Sequence, residues 1–249
     1  MKILVVSDIH YSLKQYDWLL DNAERFDSII IAGDLLDLAG SLQRDAQSVV
    51  VMKYLSRLSA KTKLLVCSGN HDSSGKNEYE EHEAIWLRKA RYLGVAVDGD
   101  SVELGDILLT ICPWWDGEHT LAYVNKQLEK DSKKREAFKK WIWIYHTPPV
   151  DSPTSWTGKT YWGDKPLLGW IEEYQPDIVF SGHVHESPFV PNGSWCDLIG
   201  ETWVFNTGRE LSFRPTHLTF DTDACEICWF SSEGVYSVKL NDKKLPVFD

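Results

Sequence analysis

The sequence contains little cysteine, and its five cysteines are unevenly spaced: Cys67, Cys112, Cys196, Cys225 and Cys228. An odd number without paired spacing argues against the disulfide framework of a small secreted protein. Cys225 and Cys228 have the spacing of a zinc or redox motif, but a four-thiolate zinc site needs a second such pair, which the sequence lacks. The residues around them alternate as in a strand, where positions i and i+3 lie on opposite faces. We therefore predict that these two cysteines act separately.

Positive charge and long apolar runs are also scarce. The chain has 26 Lys and Arg against 37 Asp and Glu, which gives a formal net charge of −11. This balance argues against non-specific nucleic-acid binding, which requires a basic surface. No apolar run approaches the length of a membrane helix, and the N-terminal run is too short for a signal peptide and is interrupted by Asp8. We therefore expect no membrane association, no nucleic-acid partner and a cytoplasmic location.

The composition is otherwise that of an ordinary globular protein, with 249 residues, 43% hydrophobic and 25% charged. Nothing marks a domain boundary, so we predict a single domain over residues 1–249. Amphipathic spacing predicts helices at 13–26, 45–59 and 78–93, a solvated helix at 121–140 and a short helix at 167–174. Further strands are expected at 95–97, 107–111, 202–205, 217–220, 226–230 and 235–240, the first two flanking the turn Asp98-Gly99-Asp100.

Five short apolar runs each end in a polar residue that can bind a metal ion. These runs, at 2–6, 28–32, 63–67, 141–145 and 177–180, are rich in Ile and Val and have the length of buried strands. Ligands in an open α/β sheet gather at the carboxyl ends of its strands. The five ends would therefore bring together Asp8, His10, Asp34, Asn70, His146, His183 and His185.

These residue types indicate a metal centre. Imidazole mixed with carboxylate and amide oxygen, without thiolate, suits divalent ions such as Mn, Fe or Zn and differs from a structural zinc site. Seven ligands are too many for one tetrahedral ion and suit two ions about 3.5–4 Å apart, the arrangement used by phosphatases and nucleases. Asp8 and His10, like His183 and His185, are two residues apart, so on an extended chain both members of a pair face the same way. Each short motif alone is a weak signal, and only their order along the chain makes the set specific.

That order resembles the calcineurin-like metallophosphoesterase superfamily. The matching stretches span about residues 1 to 210 and are Asp8-Ile9-His10, Gly33-Asp34, Gly69-Asn70-His71-Asp72, His146 and Gly182-His183-Val184-His185. The resemblance implies a four-layer α/β/β/α sandwich with two mixed β-sheets face to face. It also implies that one metal is held by Asp8, His10 and His185, the other by Asn70, His146 and His183, and that Asp34 bridges them.

The same resemblance implies that His71 is a catalytic residue and not a ligand. In the serine/threonine phosphatase branch, an acid three residues after the bridging Asp orients this histidine, and Asp37 is a candidate for that role. The alternative for Asp37 is a loop or capping acid. The branch continues with Arg-Gly where this chain has Leu38-Ala39, which disfavours protein phosphatase activity.

Three loops are candidates for substrate contact. Trp114 and Trp115 follow the strand predicted at 107–111, where they would wall the substrate cleft or pack as core. Residues 151–165 form a segment long enough for a substrate loop or lid. Arg209 could meet a phosphate, although an exposed salt bridge is the simpler expectation.

The predicted function is hydrolysis of a phosphate ester in a site with two divalent ions. By resemblance, a water molecule activated by both ions would attack phosphorus, and His71 would protonate the leaving oxygen. The expected substrate is a small phosphodiester or nucleotide-type ester, and the aromatic loops weakly favour a base that can stack. Two alternatives stay open: a phosphomonoesterase, and a catalytically silent metal-binding scaffold such as the retromer subunit of this fold.

Overall fold

The computed structural model describes residues 1–246 and contains two large β-sheets and one two-stranded sheet. The strands, in chain order, are β1 (Lys2–Val6), β2 (Ser28–Ala32), β3 (Lys63–Cys67), β4 (Gly75–Lys76), β5 (His82–Glu83), β6 (Ala96–Val97), β7 (Ser101–Leu104), β8 (Ile107–Ile111), β9 (Lys140–Ile144), β10 (Ile178–Ser181), β11 (Cys196–Ile199), β12 (Thr202–Asn206), β13 (His217–Asp221), β14 (Glu226–Phe230) and β15 (Val235–Lys239).

The α-helices are α1 (Leu13–Asn22), α2 (Arg44–Ser59), α3 (Glu118–Ser132) and α4 (Lys165–Tyr174). Short 3-10 helices lie elsewhere in the chain, at Ala23–Arg25, Asn70–Asp72, Leu87–Leu93, Arg135–Ala137, Pro153–Ser155, Ser187–Phe189 and Leu240–Asp242. Within residues 1–246, none of these helices combines the length and the apolar character needed to cross a bilayer.

The first sheet has seven strands in the order β15-β14-β13-β1-β2-β3-β6. Strands β1, β2, β3 and β6 are parallel, and β13, β14 and β15 extend the sheet with antiparallel pairing. The parallel strands are continuous apolar runs because both of their faces are covered. Because these strands are parallel, their carboxyl ends lie at one edge of the sheet. Asp8, Asp34 and Asn70 follow the strands at this edge.

The second sheet has six strands in the order β11-β12-β10-β9-β8-β7. The four central strands are parallel, while β7 and β11 pair antiparallel at the two edges. His146 follows β9 and His183 follows β10. The second sheet thus directs its polar strand ends toward those of the first.

Three apolar clusters separate the layers. Side chains from both sheets, among them Ile30, Leu65, Ile142 and Phe180, form the cluster between them. A second cluster packs α1, α2 and the Leu87–Leu93 helix on the outer face of the first sheet, and a third packs α3 and α4 on the second sheet. The predicted four-layer α/β/β/α sandwich with two mixed sheets is confirmed.

The helix predicted at 78–93 is wrong over its first half. Residues 75–83 form the hairpin of β4 and β5, and helical backbone begins only at Leu87. The side chain of Asn77 explains the difference, because its Oδ1 accepts hydrogen bonds from the backbone N–H groups of Tyr79 (2.9 Å) and Glu81 (3.1 Å). Asn side chains that bond the following backbone favour turns over helix, and here they outweigh the helix propensity of the glutamates.

The two strands predicted around Asp98-Gly99-Asp100 are present, but they do not pair with each other. Strand β6 belongs to the first sheet and β8 to the second, so this turn crosses between the sheets and does not close a hairpin. The hairpin partner of β8 is β7, which was not predicted, and β11 was missed as well. Both are edge strands of four residues whose side chains are mostly half-buried, so their apolar pattern is weak.

Candidate metal centre

The structure brings all seven predicted ligands to one place between the two sheets. Asp8, His10, Asp34 and His146 are buried, whereas Asn70, His183 and His185 are partly accessible. Their ligand atoms fall into two groups that could each hold a metal ion and that share Asp34. A divided set with one common carboxylate is the geometry expected for two adjacent ions.

The first group consists of Asp8, His10, Asp34 and His185. The Nε2 atoms of His10 and His185 face each other at 2.9 Å, and Asp8 Oδ1 lies 3.2 Å from His185 Nε2. Asp34 Oδ2 lies 3.5 Å from His10 Nε2. Ligand atoms of a tetrahedral ion with bonds of about 2.0–2.1 Å are about 3.4 Å apart, so these spacings suit a divalent ion.

The second group consists of Asp34, His146 and His183, with Asn70 beside them. Asp34 Oδ2 lies 3.3 Å from His146 Nε2. Asn70 Oδ1 lies 3.2 Å from His146 Nε2 and 3.0 Å from His183 Nδ1. Two imidazole nitrogens, one carboxylate oxygen and one amide oxygen form a donor set that suits Mn, Fe or Zn.

The backbone bends sharply at the ligands. Asp8, His10, Asp34 and His183 all have positive φ, at 53°, 43°, 53° and 67°. Non-glycine residues rarely adopt this conformation, and Asp and His are among the more tolerant types. The bends are fixed by backbone hydrogen bonds from Asp8 N–H to Gly33 O (3.1 Å) and from His10 N–H to Asp34 O (2.9 Å).

Two glycines let the ligands approach. A Cβ atom at Gly33 would overlap the imidazole of His146, and one at Gly182 would overlap the carboxylate of Asp8. Gly33 also has φ of 91°, which favours glycine. These positions therefore require glycine for the two sheets to bring their ligands together.

Hydrogen bonds from neighbouring groups orient the ligands. His146 donates its Nδ1–H to Ala32 O (2.8 Å), which leaves Nε2 free to bind a metal. Ser7 Oγ donates to Asp8 Oδ2 and shares a hydrogen bond with Thr207 Oγ1. Sequence reasoning missed both hydroxyl residues, although Ser7 directly precedes a predicted ligand.

Asp72 ties the loops of β2 and β3 together. Its Oδ1 accepts from the backbone N–H groups of Leu35 (2.9 Å) and Leu36 (3.0 Å), and its Oδ2 accepts from Gly69 N–H (2.9 Å). The carboxylate of Asp72 thus serves the turn. It also fixes Asp34 and Asn70 relative to each other.

The buried carboxylates of the cluster need positive charge nearby. Burial would raise the pKa of Asp8, but hydrogen bonds with His10 and His185 hold that pKa well below its usual range. Burial would lower the pKa of His146, but the charge of Asp34 raises it to about 10. Two buried carboxylates require compensating cations. Divalent ions at these donors would supply that charge, and the residues present therefore fit the metals that the sequence implies.

His71 lies at the edge of the cluster, with 25% of its side chain exposed. Its Nε2 is 4.0 Å from Asp34 Oδ2, and its ring contacts the ring of His10 edge-on at 4.5 Å. The backbone N–H of Leu38 donates to its Nδ1 at 3.2 Å. Because Nδ1 accepts this bond, the neutral imidazole carries its proton on Nε2, toward the centre. Burial lowers the pKa of His71.

Asp37 makes its hydrogen bond elsewhere. Its Oδ1 accepts from Ala39 N–H at 2.9 Å, and the bond that orients His71 comes from Leu38. The ligand atoms of His10, Asp37 and His71 nevertheless lie within 4.8 Å of one another, as a third group that could hold a metal. The orienting role assigned to Asp37 stays a prediction.

The two adjacent tryptophans occupy different places. The ring of Trp114 lies 6.0 Å from the ring of His146 and 5.9 Å from that of His183, so Trp114 borders the centre as expected. Trp115 packs against the third apolar cluster instead, and its Nε1 donates to Tyr145 Oη (2.7 Å) and Asp164 Oδ2 (2.9 Å). Of the two alternatives, the cleft wall applies to Trp114 and core packing applies to Trp115.

The remaining candidates lie as follows. Arg209 donates its backbone N–H to His185 O at 3.1 Å, and its buried Nε has no partner within residues 1–246, so the expected salt bridge is not formed there. Ser152 and Thr154, in the predicted substrate loop, are buried, and Asn206 donates to Thr154 O at 2.8 Å.

Cys225 lies in a turn and Cys228 in β14, and neither belongs to a possible metal group among the described residues.

The sequence model of the calcineurin-like phosphoesterase family matches residues 1–187. The chain therefore belongs to this family, as its motif order predicted. No curated protein matches the sequence significantly.

Two solved structures share the fold at low sequence identity. TT1561 of Thermus thermophilus is 15% identical with a TM-score of 0.59, and the match covers 96% of this chain and 98% of that one. Purple acid phosphatase PPD1 from yellow lupin (Lupinus luteus) seeds is 13% identical with a TM-score of 0.58, covering 99% of this chain and 52% of that one. At these identities the similarity establishes the fold alone.

Proposed function

We propose that the protein is a dinuclear metal-dependent hydrolase of small phosphate esters, with a phosphodiester or nucleotide-type substrate. The observation that carries the proposal is the pair of ligand groups that share Asp34, beside an imidazole whose Nε2 faces them. Asp8, His10 and His185 would hold one ion, Asn70, His146 and His183 the other, and Asp34 would bridge them. When bound, two such ions neutralise phosphate charge and lower the pKa of a water molecule.

The side chains around the centre have distinct tasks in this proposal. Leu38 N–H fixes the tautomer of His71, so that Nε2–H can donate to the oxygen that leaves phosphorus. Trp114 would form an apolar wall beside His146 and His183. Arg209 donates its backbone N–H to His185 O, and its buried Nε has no partner among residues 1–246, so its guanidinium would be available to a phosphate oxygen.

The test is turnover by the Mn-reconstituted protein on a panel of phosphodiesters, phosphomonoesters and pyrophosphates. The proposal expects turnover that chelation abolishes, while far-UV circular dichroism stays unchanged because the apolar clusters do not depend on a metal. Highest activity on monoesters would replace the diester assignment by a phosphomonoesterase. Metal binding without turnover of any ester would refute hydrolysis and leave a silent scaffold.

A further inference from the structure

A cavity of about 670 Å³ lies beside the metal centre. Trp114 lines it and also contacts His146 and His183, so the indole is a wall common to the cavity and the centre. Ser68, two residues before Asn70, lines the cavity too, and its Oγ accepts from Trp114 N–H at 3.0 Å. A group in this cavity that contacts Trp114 would therefore lie one indole ring away from a phosphate at the centre.

Three further aromatic rings line the cavity. The rings of Tyr79 and His119 stack with centroids 3.6 Å apart and planes within 10° of each other. Both rings line the cavity, as does that of Tyr123, and all three are exposed. Exposed aromatic rings that gather around a cavity are an unusual use of the surface, and planar surfaces of this kind bind flat ring systems.

The stacked pair is held in place from both sides. Asn77 Oδ1 accepts from Tyr79 N–H, which fixes the turn between β4 and β5. The carboxylate of Glu81 accepts from the backbone N–H groups of His119 (2.9 Å) and Thr120 (2.7 Å) at the start of α3. Glu81 thus joins the hairpin to the helix and fixes the backbone that carries His119 relative to the hairpin that carries Tyr79.

The charges around the cavity are balanced. Lys76 pairs with Glu80 (3.4 Å) and Arg88 with Glu83. Arg91 is bound by Asp100, with Nε 3.1 Å from Oδ1. Each of these basic side chains of the rim therefore has an acidic partner, and the cavity provides no excess positive charge for a second phosphate. An uncharged planar group suits it better than an anion.

We propose that this cavity binds the heteroaromatic base of a nucleoside-type substrate, stacked on the Tyr79–His119 pair, while its phosphoester lies at the metal centre. The inference rests on the proposed function and adds the part of the substrate that determines specificity. Stacking on one aromatic side chain is worth about 10-fold in affinity. The base-bearing substrate should therefore be preferred by about this factor.

The experiment compares two esters that differ only in the base: the methyl phosphodiester of adenosine 5′-phosphate and that of ribose 5-phosphate. We expect kcat/KM to be about 10-fold higher for the first ester. Tyr79→Leu and His119→Leu should bring this ratio close to one, and Tyr79→Phe, which keeps a stacking ring, should preserve it. Tyr92→Leu is the matched control, because Tyr92 is 92% exposed and does not line the cavity.

A ratio of one in the unaltered protein, or a ratio that Tyr79→Leu and His119→Leu leave unchanged, overturns the inference while the hydrolase proposal stands. If neither ester is hydrolysed, the phosphodiester assignment fails, and binding of free adenosine measured by calorimetry decides the cavity separately. Binding that Tyr79→Leu weakens about 10-fold, and Tyr92→Leu does not, supports it. No measurable adenosine binding overturns it. Metal analysis of every variant shows that the centre itself is intact.

Discussion

Replacement of His71 by alanine separates proton donation from metal binding. His71 is adjacent to the presumed ligand Asn70, yet its Nδ1 is occupied by Leu38 N–H and only Nε2 faces the centre. Its truncation removes the hydrogen bond from Leu38 N–H and the edge-on contact with the ring of His10. We therefore expect a stability loss of about 1 kcal/mol or less.

The expected kinetic effect is much larger than the effect on stability. General-acid help is typically worth about 10²–10⁴-fold in rate, which corresponds to about 3–5 kcal/mol of transition-state stabilisation. An ester with a low-pKa leaving group needs little protonation, so His71→Ala should spare it in part. The loss should grow steadily as the leaving group becomes more basic.

The assay is kcat/KM over a series of aryl and alkyl esters, with metal analysis and thermal unfolding of the same samples. A uniform loss on all esters, together with one missing metal and rescue by excess Mn, would show that His71 is a ligand. An unchanged dependence on the leaving group with a clearly lowered melting temperature would reduce His71 to a structural residue. Either result would refute the role inferred from its geometry.

Three further predictions concern the shared ligand, the second tryptophan and a remote histidine. Asp34→Ala should lower bound Mn from about two ions per chain toward none, because both ligand groups include Asp34. Two Mn ions per chain in this variant would refute the bridging role. Asp21→Ala is the control, because Asp21 is exposed. Trp115→Leu should cost about 2–3 kcal/mol in denaturant unfolding, since it removes packing and two hydrogen bonds; an unchanged midpoint would contradict its place in the apolar cluster. Burial lowers the pKa of His217 from 6.5 to about 4, so the unfolded chain binds the proton more readily. Neutral, buried His217 makes its full contribution to the free energy of unfolding above a pH of about 6.5. This contribution is lost as the pH falls toward about 4, and the loss is about 3 kcal/mol at most. His217→Gln should remove this part of the pH dependence of unfolding, and an identical slope would refute it.

Sequence patterns predicted the parts of the fold that are fully buried. Strands such as β2 and β3 are continuous apolar runs, and their bounds matched because burial on both faces leaves no other arrangement. The convergence of Asp8 and Asp34 followed from the same kind of strand, because β1 and β2 are parallel neighbours that end at one edge of the first sheet.

Half-buried elements were less predictable. Strand β7 has no fully buried residue, so its apolar signal is faint, and its pairing with β8 depends on contacts distant from its own sequence. Trp114 and Trp115 are adjacent and chemically identical, and only the tertiary structure assigns one to the metal centre and the other to a core. The cavity beside Trp114 depends on a hairpin that the sequence presented as a helix.

The position of β1 has a consequence for the synthesis of the chain. All seven candidate ligands lie before residue 187, yet β1 takes one of its two neighbours from β13, at His217–Asp221. As the polypeptide emerges from the ribosome, the strand that leads into Asp8 and His10 keeps an open edge until these later residues arrive. A nascent chain with all its ligands is thus an unfinished sheet, open to pairing with another chain. The last three strands, β13, β14 and β15, therefore close the edge of β1 only after every candidate ligand has been synthesised.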